Sequence, residues 1–517
     1  MNIYRLLMGI VKRNGPRVSV LVFLSLVSGL FISDTCRAHK QYDFEQSKSS
    51  IFGIGYATRD ARIPPLYART GIHWMKIAGL KWKFIEPNPP TGSRHEYHWN
   101  ELDQVVQNYQ RQGFHLQIIL KTDSNWGTRS KTREAIPGSY AESIASAPPK
   151  EACWDDYTDF VKAVVERYDH DGVNDMPGLL TSIGYYEFES EAQFPDLWQG
   201  TVEEYLRLLK LAGHAARKAY PNVKIILSGL NLSDMFDDLP DADLVQRRIN
   251  SMMHKPVHSH AIRFIQQTLQ ATDLYDIIEF HYNRDYLSIY GIVNWIRQYS
   301  DKPIWAGDAA SAPWLFGQFN RQYKNAHALF ASIASEEPEA SAWYRKEQAV
   351  LTVKKLVVSA ETGLERVFME TTVPWHKANT SPVAVDYMWD LQSMIDDNYR
   401  PYPVFFAIKQ LIDNIGDYSA VKRLDIDDKA IFAYRFTTPR GYVFIAWYEP
   451  GLDDQKNNSS RNMPDLKKYI SNNKATAVLT ITSNDTTEVL PIKNASDISI
   501  TPVPVFIRYQ QDFRGPE

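Results

Sequence analysis

The sequence predicts an α/β protein in which a (β/α)8 barrel of the TIM type precedes a C-terminal all-β sandwich domain. From Ile51 onward, short apolar runs alternate with longer amphipathic stretches, as in a parallel sheet whose strands are covered by helices. About eight such runs fall within about 360 residues, which fits a barrel with generous insertions. An open doubly wound sheet is the alternative that the strand count alone leaves open. After residue 415, β-type runs separated by Gly, Pro, Asn and Asp replace the helical pattern.

The barrel strands are predicted from the apolar runs in chain order. These runs are residues 51–56, 74–77, 116–120, 183–188, 223–227, 277–281, 303–306 and 366–369. Helices are predicted where apolar residues recur with a helical period. The clearest are residues 101–112, 157–168, 202–220, 260–271, 345–361 and 402–415.

The C-terminal strands are predicted at residues 431–436, 441–447, 475–481, 488–490 and 503–509. The stretch 453–460, rich in Asp and Asn, is expected to be an exposed loop. We therefore expect a signal peptide over 1–38, a lead-in over 39–50, the barrel over 51–415 and the sandwich over 416–517.

Composition restricts the partners. The 517 residues include 57 basic and 61 acidic side chains, a net charge of -4, so no basic field exists to hold nucleic acid or an anionic membrane. Two cysteines exclude a disulfide-built scaffold and a cysteine-rich metal module. Aromatic residues make up 13% of the chain and need either a core or a groove.

The N-terminus has the features of a secretory signal. Four basic residues precede the apolar run 18–32, which is 15 residues long and too short for a comfortable membrane span. Cleavage after Ala38 would leave an exported chain, secreted or periplasmic, with no stable membrane contact and a charge of about -8. An uncleaved signal anchor is the alternative.

Two carboxylates mark the expected active site, because catalytic residues of such barrels lie at the carboxyl ends of the strands. The fourth run ends with Glu187, Glu189 and Glu191, which would project to one side of an ideal strand. At least one of them must then be neutral or paired. The seventh run ends at Asp308, for which a helix N-cap is the plainer interpretation. Two carboxylates on opposite sides of one barrel suit glycoside hydrolysis.

These carboxylates and the segments around them resemble those of clan A glycoside hydrolases. The sequence is most similar to the family 39 type, which includes β-xylosidases and α-L-iduronidases. The resemblance covers about residues 51–509 and extends to a last sandwich strand at 501–506. The resemblance depends on the order and the spacing of several short segments taken together. The segments that carry it are 74–76, Trp82 with 85–87, 97–103, 186–198 with 203–205, and 302–308.

The resemblance implies that Glu191 is the acid/base and that Asp308 is the counterpart of the nucleophile. Three positions depart from the clan. Ser190 replaces the Asn that grips the sugar 2-hydroxyl, and Lys76 replaces an Arg that supports the nucleophile. Asp308 replaces Glu, which withdraws the carboxylate by roughly 1.5 Å. We therefore expect Asp308 to be either a retracted nucleophile or a general base acting through water.

Further residues are expected to bind substrate. His281 and Tyr282 close the sixth strand and are predicted to hydrogen-bond Asp308. Aromatic residues near strand ends are predicted to form platforms for sugar rings, although core packing is the alternative for each. They are Trp126, Trp198, Trp305 and Trp375. The insertions 125–149 and 231–259 are expected to wall the groove.

No cofactor or metal is expected. His258 and His260, with His254 nearby, lie in the insertion between strands 5 and 6 rather than on strand 1, where metal-dependent barrel hydrolases place such a pair. No glycine-rich phosphate loop and no Gly-x-Ser-x-Gly elbow occurs. The sequence predicts an exported glycosidase acting on an oligo- or polysaccharide. The alternatives are a carbohydrate-binding protein that has lost the nucleophile and a glycosyl-transferring enzyme.

Overall fold

The computed structural model describes residues 44–129, 145–231, 234–237, 239–313, 326–374, 390–450, 461–462, 475–481, 489–490 and 498–509. The predicted signal, the stretch 453–460 and Trp375 therefore lie outside the described residues. The described residues belong to one compact unit. Among the described residues, no helix is long and apolar enough to cross a membrane.

Eight parallel strands close into a barrel in the order β1 to β8, which confirms the predicted fold class. The strands are β1 Phe52–Gly55, β2 Trp74–Lys81, β3 His115–Lys121, β4 Tyr185–Phe188, β5 Lys224–Asn231, β6 Ile277–His281, β7 Ile304–Asp308 and β8 Arg366–Thr371. Each predicted apolar run overlaps one of them. The runs were recognisable because both faces of a parallel barrel strand are buried.

Helices cover the outside of the barrel. They are α1 Phe44–Lys48, α2 Ile63–Ala68, α3 Trp82–Ile85, α4 Asn100–Gln110, α5 Trp154–Arg167, α6 Val202–Ala219, α7 Ala242–Met252, α8 Pro256–Gln270, α9 Ser288–Ile296, α10 Ala326–Ala334, α11 Pro338–Glu361 and α12 Pro403–Ile415. Helix α6 begins with a capping box, in which the Thr201 side chain accepts from the Glu204 N–H. Helix α9 was not among the predicted helices; it has only nine residues, of which Asn294 alone is exposed.

The C-terminal domain consists of a six-stranded sheet in the order β14-β13-β16-β11-β10-β9 and a two-stranded sheet, β12-β15. Its strands are β9 Ala420–Arg423, β10 Ile431–Thr438, β11 Gly441–Tyr448, β12 Arg461–Asn462, β13 Ala475–Thr480, β14 Val489–Leu490, β15 Ser499–Ile500 and β16 Val505–Tyr509. A two-residue turn joins β10 to β11, and Gly441 closes it at a φ of 115° that favours glycine.

An aromatic cluster joins the sheet to the barrel. Trp447 of β11 stacks on Phe432 of β10 and donates its indole N–H to the Tyr286 hydroxyl at 2.9 Å. That hydroxyl in turn donates to the buried Glu449, which forms an ion pair with Lys354 of α11 at 3.2 Å. The sheet therefore braces the segment that follows β6 and the helix that precedes β8.

The floor of the barrel is a second aromatic cluster. Trp74, Tyr185, Trp305 and Phe368 pack inside the barrel, with ring centroids of Trp74 and Trp305 5.6 Å apart. This cluster fills the end of the barrel where the strands begin. The opposite end, where the strands finish, is the mouth.

Candidate active site

The three glutamates at and after the end of β4 do not share one side, so that prediction is wrong. Strand β4 ends at Phe188, and both Glu189 and Glu191 have positive φ values, 64° and 52°. The chain therefore turns sharply, and the alternation of a strand no longer applies. Glu187 enters the barrel interior beside Gln117 of β3, whereas Glu189 turns outward to the backbone N–H of Thr122 and pairs with Lys121 at 3.0 Å.

Glu191 lies at the mouth and is held on one oxygen by two neighbours. Its Oε1 accepts from Asn231 Nδ2 at 2.8 Å and contacts His281 Nδ1 at 2.9 Å. Burial raises the pKa of Glu191, but the hydrogen bond and positive charge of His281 outweigh it, and the pKa falls below its usual range. Glu191 therefore ionises more readily than an ordinary glutamate.

Asp308 closes β7 at the same mouth. Its Oδ2 accepts a hydrogen bond from the Tyr56 hydroxyl at 3.2 Å. Burial raises the pKa of Asp308 above its usual range, and the negative charge of Glu191 adds to this effect against the opposing charges of His281 and Lys76. The two carboxylates thus lie near enough to influence each other, and their environments shift the two pKa values in opposite directions.

Lys76 is buried within the barrel rather than at the Asp308 carboxylate. Its ammonium lies 2.5 Å from Glu279 Oε1, and Gln117 Nε2 donates to Glu279 Oε2 at 2.9 Å. We call Lys76, Gln117, Glu187 and Glu279 the interior charge network. Lys76 acts on Asp308 only through its charge, which lowers the pKa of that carboxyl.

The two residues that close β6 do not direct side chains to Asp308, contrary to the prediction. The imidazole of His281 contacts Glu191 and Glu279 instead. Tyr282 is buried, and its hydroxyl donates to Asp237 Oδ1 at 2.9 Å. Only its backbone N–H reaches Asp308, where it donates to the carbonyl oxygen at 2.7 Å.

A buried lysine stabilises the ends of β6 and β7. Lys355 of α11 is 1% exposed, and its ammonium donates to the carbonyl oxygens of Tyr282, Ala309 and Ala310 at 2.9–3.3 Å. These carbonyls directly follow His281 and Asp308 in the chain. Lys355 therefore helps to fix the backbone that carries both side chains.

The four predicted tryptophan platforms have different outcomes. Trp198 and Trp305 are only 1% and 0% exposed, so the prediction that they stack on sugar is wrong. Trp198 packs on Tyr205, and Trp305 belongs to the barrel floor. Trp126 is half-buried beside Trp82, and its indole N–H donates to the Glu86 carbonyl at 3.1 Å. Trp126 remains a candidate, and so does the half-buried Ser190 between Glu189 and Glu191.

A cavity of about 770 Å³ lies next to Tyr56, between Ala57 after β1, the second half of β2 and helix α4. Its lining combines apolar side chains with a few polar groups, as binding sites usually do. Phe84, 55% exposed, and Tyr399 are its aromatic members. The ammonium groups of Lys81 and Lys83 lie 6.0 and 5.9 Å from the centre of the Phe84 ring.

Two groups of described residues bring three possible metal-binding side chains together. Glu187, Glu279 and His281 form the first, where the ammonium of Lys76 already supplies a positive charge. Asp169, Asp171 and Asp175 form the second, in a loop where their carboxylates accept backbone N–H groups. In both groups the carboxylates therefore already have positively charged or N–H partners within the protein.

Three site residues were not among the predicted ones. Tyr56, Asn231 and Glu279 each contact a residue that was predicted; Tyr56 ends the predicted run 51–56, and Asn231 is the last residue of β5. Glu279 stands inside the run of β6, where a charged side chain between buried neighbours needs a partner. That exception to the apolar pattern is the signal that could have revealed it.

The chain shares its fold with solved glycoside hydrolases. A family 39 glycoside hydrolase from the gut symbiont Bacteroides cellulosilyticus WH2 is 12% identical, with a TM-score of 0.56 over 90% of this chain and 82% of that one. A glucosidase from Croceicoccus marinus is 10% identical, with a TM-score of 0.55 over 90% and 96%. A monomeric β-xylosidase from Caulobacter crescentus CB15 is 12% identical, with a TM-score of 0.53 over 89% and 96%.

These similarities establish a shared fold. No family model matches the sequence, and no curated protein matches it. The structural neighbours nevertheless include enzymes of family 39, the type that the sequence motifs resemble. The barrel and the sheet domain that follows it are thus found together in known glycosidases.

Proposed function

We propose that this protein is an exported glycoside hydrolase that cleaves O-glycosidic bonds of an oligo- or polysaccharide with Glu191 and Asp308. The observation that carries the proposal is the presence at one mouth of two carboxyl groups in different surroundings, Glu191 against Asn231 and His281 and Asp308 against Tyr56. Their pKa values accordingly shift in opposite directions, lowered for Glu191 and raised for Asp308. Glycosidases need one carboxyl that holds a proton and one that is ionised. The shared fold with glycosidases supports the same conclusion.

The charges favour roles opposite to those that the resemblance implies. Asp308, with the raised pKa, is the better proton donor, and Glu191, flanked by His281, is the better ionised group. In this scheme Asp308 protonates the glycosidic oxygen as the bond to the anomeric carbon breaks. Glu191 either attacks that carbon, after which water hydrolyses the glycosyl-enzyme, or removes a proton from the attacking water.

The anomeric configuration of the product distinguishes these two courses. Direct attack by Glu191 retains the configuration, whereas attack by water inverts it. The short side chain of Asp308 favours the wider separation that a water needs. Proton NMR of the first product formed from an aryl glycoside gives the answer, and we expect inversion.

A panel of aryl and oligomeric glycosides tests the proposed activity itself. We expect turnover of at least one β-xyloside or β-glucoside, which the variant Glu191→Gln should lose. Binding of an oligosaccharide without turnover would instead establish the binding-protein alternative. Asp308 accepts from Tyr56 and is followed by the non-helical segment 309–312, which argues against the helix-cap role that this alternative requires.

The pH dependence of kcat/KM should be bell-shaped, with its optimum between the pKa values of Glu191 and Asp308. Activity is lost as the pH falls through the lowered pKa of Glu191, because the ionised group becomes protonated. It is also lost as the pH rises through the raised pKa of Asp308, because the donor loses its proton. With a dinitrophenyl glycoside, which needs little acid assistance, Asp308→Asn should abolish the alkaline limb. An alkaline limb that survives in this variant would contradict the assignment.

The cavity beside Tyr56 supports a substrate longer than one sugar. We expect Phe84→Ala to lower the ratio of kcat/KM for a long oligosaccharide to that for an aryl monoglycoside by about fivefold, since one exposed aromatic contact contributes about 1 kcal/mol. Leu180→Ala, which truncates an exposed apolar residue outside the cavity lining, should leave the ratio at the wild-type value. Equal ratios in all three proteins would remove Phe84 from the binding surface.

A further inference from the structure

A chain of charged groups links the interior charge network to the mouth. Glu279 has no exposed surface, and its Oε1 is shared between the ammonium of Lys76 at 2.5 Å and His281 Nε2 at 3.4 Å. The other ring nitrogen of His281 lies 2.9 Å from Glu191 Oε1. His281 therefore lies between a buried carboxylate and the proposed catalytic one.

The two carboxylate contacts of His281 favour one protonation state of its imidazole ring. A neutral imidazole donates from one nitrogen only, whereas an imidazolium donates from both. Because both nitrogens of His281 face carboxylate oxygens, the charged form is the one that satisfies both contacts. Burial lowers the pKa of His281, but the bonds to Glu191 and Glu279 outweigh it and raise the pKa to about 10.

Two glycines on the neighbouring strands leave space for the side chains of Glu279 and His281. A Cβ at Gly307 of β7 would overlap the Glu279 carboxyl group, and a Cβ at Gly229 of β5 would overlap the His281 ring. Side chains at either position would displace the two groups. The barrel is thus shaped around Glu279 and His281 on both flanks.

We propose that Glu279 is a positioning residue that acts through His281 to hold Glu191 ionised and in place at the mouth. Glu279 itself does not touch the substrate, because it lies wholly inside the barrel. The inference rests on the proposed function only in taking Glu191 as catalytic. The contacts from Glu279 through His281 to Glu191 are present whatever the function is. The competing explanation is that Glu279 serves only as the counter-ion of Lys76.

Titration of His281 distinguishes these explanations and requires no substrate. The charged and titratable groups that face the ring from the surrounding strands must be considered together. They are Lys76 of β2, Glu187 of β4, Glu191 after β4, Glu279 of β6 and Asp308 of β7. Glu279→Gln keeps the size of the side chain and removes one of the two anions in contact with the ring.

We expect the His281 signal in histidine-labelled protein, assigned with His281→Asn, to remain that of an imidazolium up to at least pH 9. In Glu279→Gln its titration midpoint should fall by one pH unit or more. Glu449→Gln is the matched control, because it breaks another buried Lys–Glu pair, with Lys354, that lies between barrel and sheet. This control should leave the His281 midpoint at the wild-type value.

A second variant keeps the test decisive if Glu279→Gln does not fold. In Glu191→Gln, His281 retains only Glu279 as an anionic contact, so its midpoint should stay well above the ordinary histidine value of about 6.5. A midpoint near 6.5 in that variant, or an unshifted midpoint in Glu279→Gln, would overturn the inference. Absence of glycosidase turnover would overturn the proposed function and leave the titration result intact.

Discussion

Replacement of Glu191 by Gln is expected to reduce kcat by about 10³-fold, the scale on which a positioned carboxyl group contributes to proton transfer or attack. The amide cannot ionise, and it cannot accept from the His281 imidazolium as strongly as a carboxylate does. Steady-state kinetics on the best aryl glycoside measure the loss. Glu449→Gln controls for the effect of neutralising a buried glutamate and should retain the wild-type kcat.

Azide rescue of Glu191→Ala shows whether Glu191 acts as the ionised group or as the acid/base. If Glu191 is the ionised group, azide enters its space and attacks the anomeric carbon directly, which yields the glycosyl azide of inverted configuration. If Glu191 is instead the acid/base, azide reacts with a glycosyl-enzyme formed on Asp308, and the configuration is retained. We expect the inverted azide, and the retained one would return Glu191 to the role that the family resemblance implies.

The barrel could be predicted from sequence because its strands are local features. Each strand is a short run of buried residues, and Gly, Pro and polar residues mark its ends. Helix α6 was equally clear, because seven of its 18 residues are buried on one side. Helices α2 and α3, with six and four residues, are too short to show a period.

Contacts across the barrel could not be predicted in the same way. Lys76 and Glu279 are separated by 203 residues, and their pairing depends on which side chains of β2 and β6 point inward at the same height. The sequence therefore indicated that Glu191 and Asp308 follow or close β4 and β7, but it linked His281 to Asp308, whereas the ring contacts Glu191 and Glu279. The burial of Trp198 and Trp305 could not be predicted from the sequence either, since a tryptophan near a strand end is as suitable for a core as for a groove.

Glycine positions give the most direct test of the interior charge network. We expect Gly307→Ala to lower the free energy of unfolding by about 3 kcal/mol, because the new methyl group overlaps the Glu279 carboxyl and disturbs its pair with Lys76. The same displacement should reduce kcat, since Glu279 contacts His281. Thermal and chemical unfolding measure the first effect and aryl glycoside kinetics the second.

The matched control for this variant is Gly213→Ala in α6, where the nearest side-chain atom to the new Cβ is Arg217 Nη1, the end of a flexible side chain, at 3.2 Å. Alanine favours the helix there, so stability should change by less than about 1 kcal/mol. Combining Gly307→Ala with Glu279→Ala relieves the overlap, and the double variant should be more stable than the sum of the two single effects predicts. Additive losses would mean that Gly307 and Glu279 are independent. The glycine at position 307 would then be needed for a reason other than the space taken by the Glu279 carboxylate.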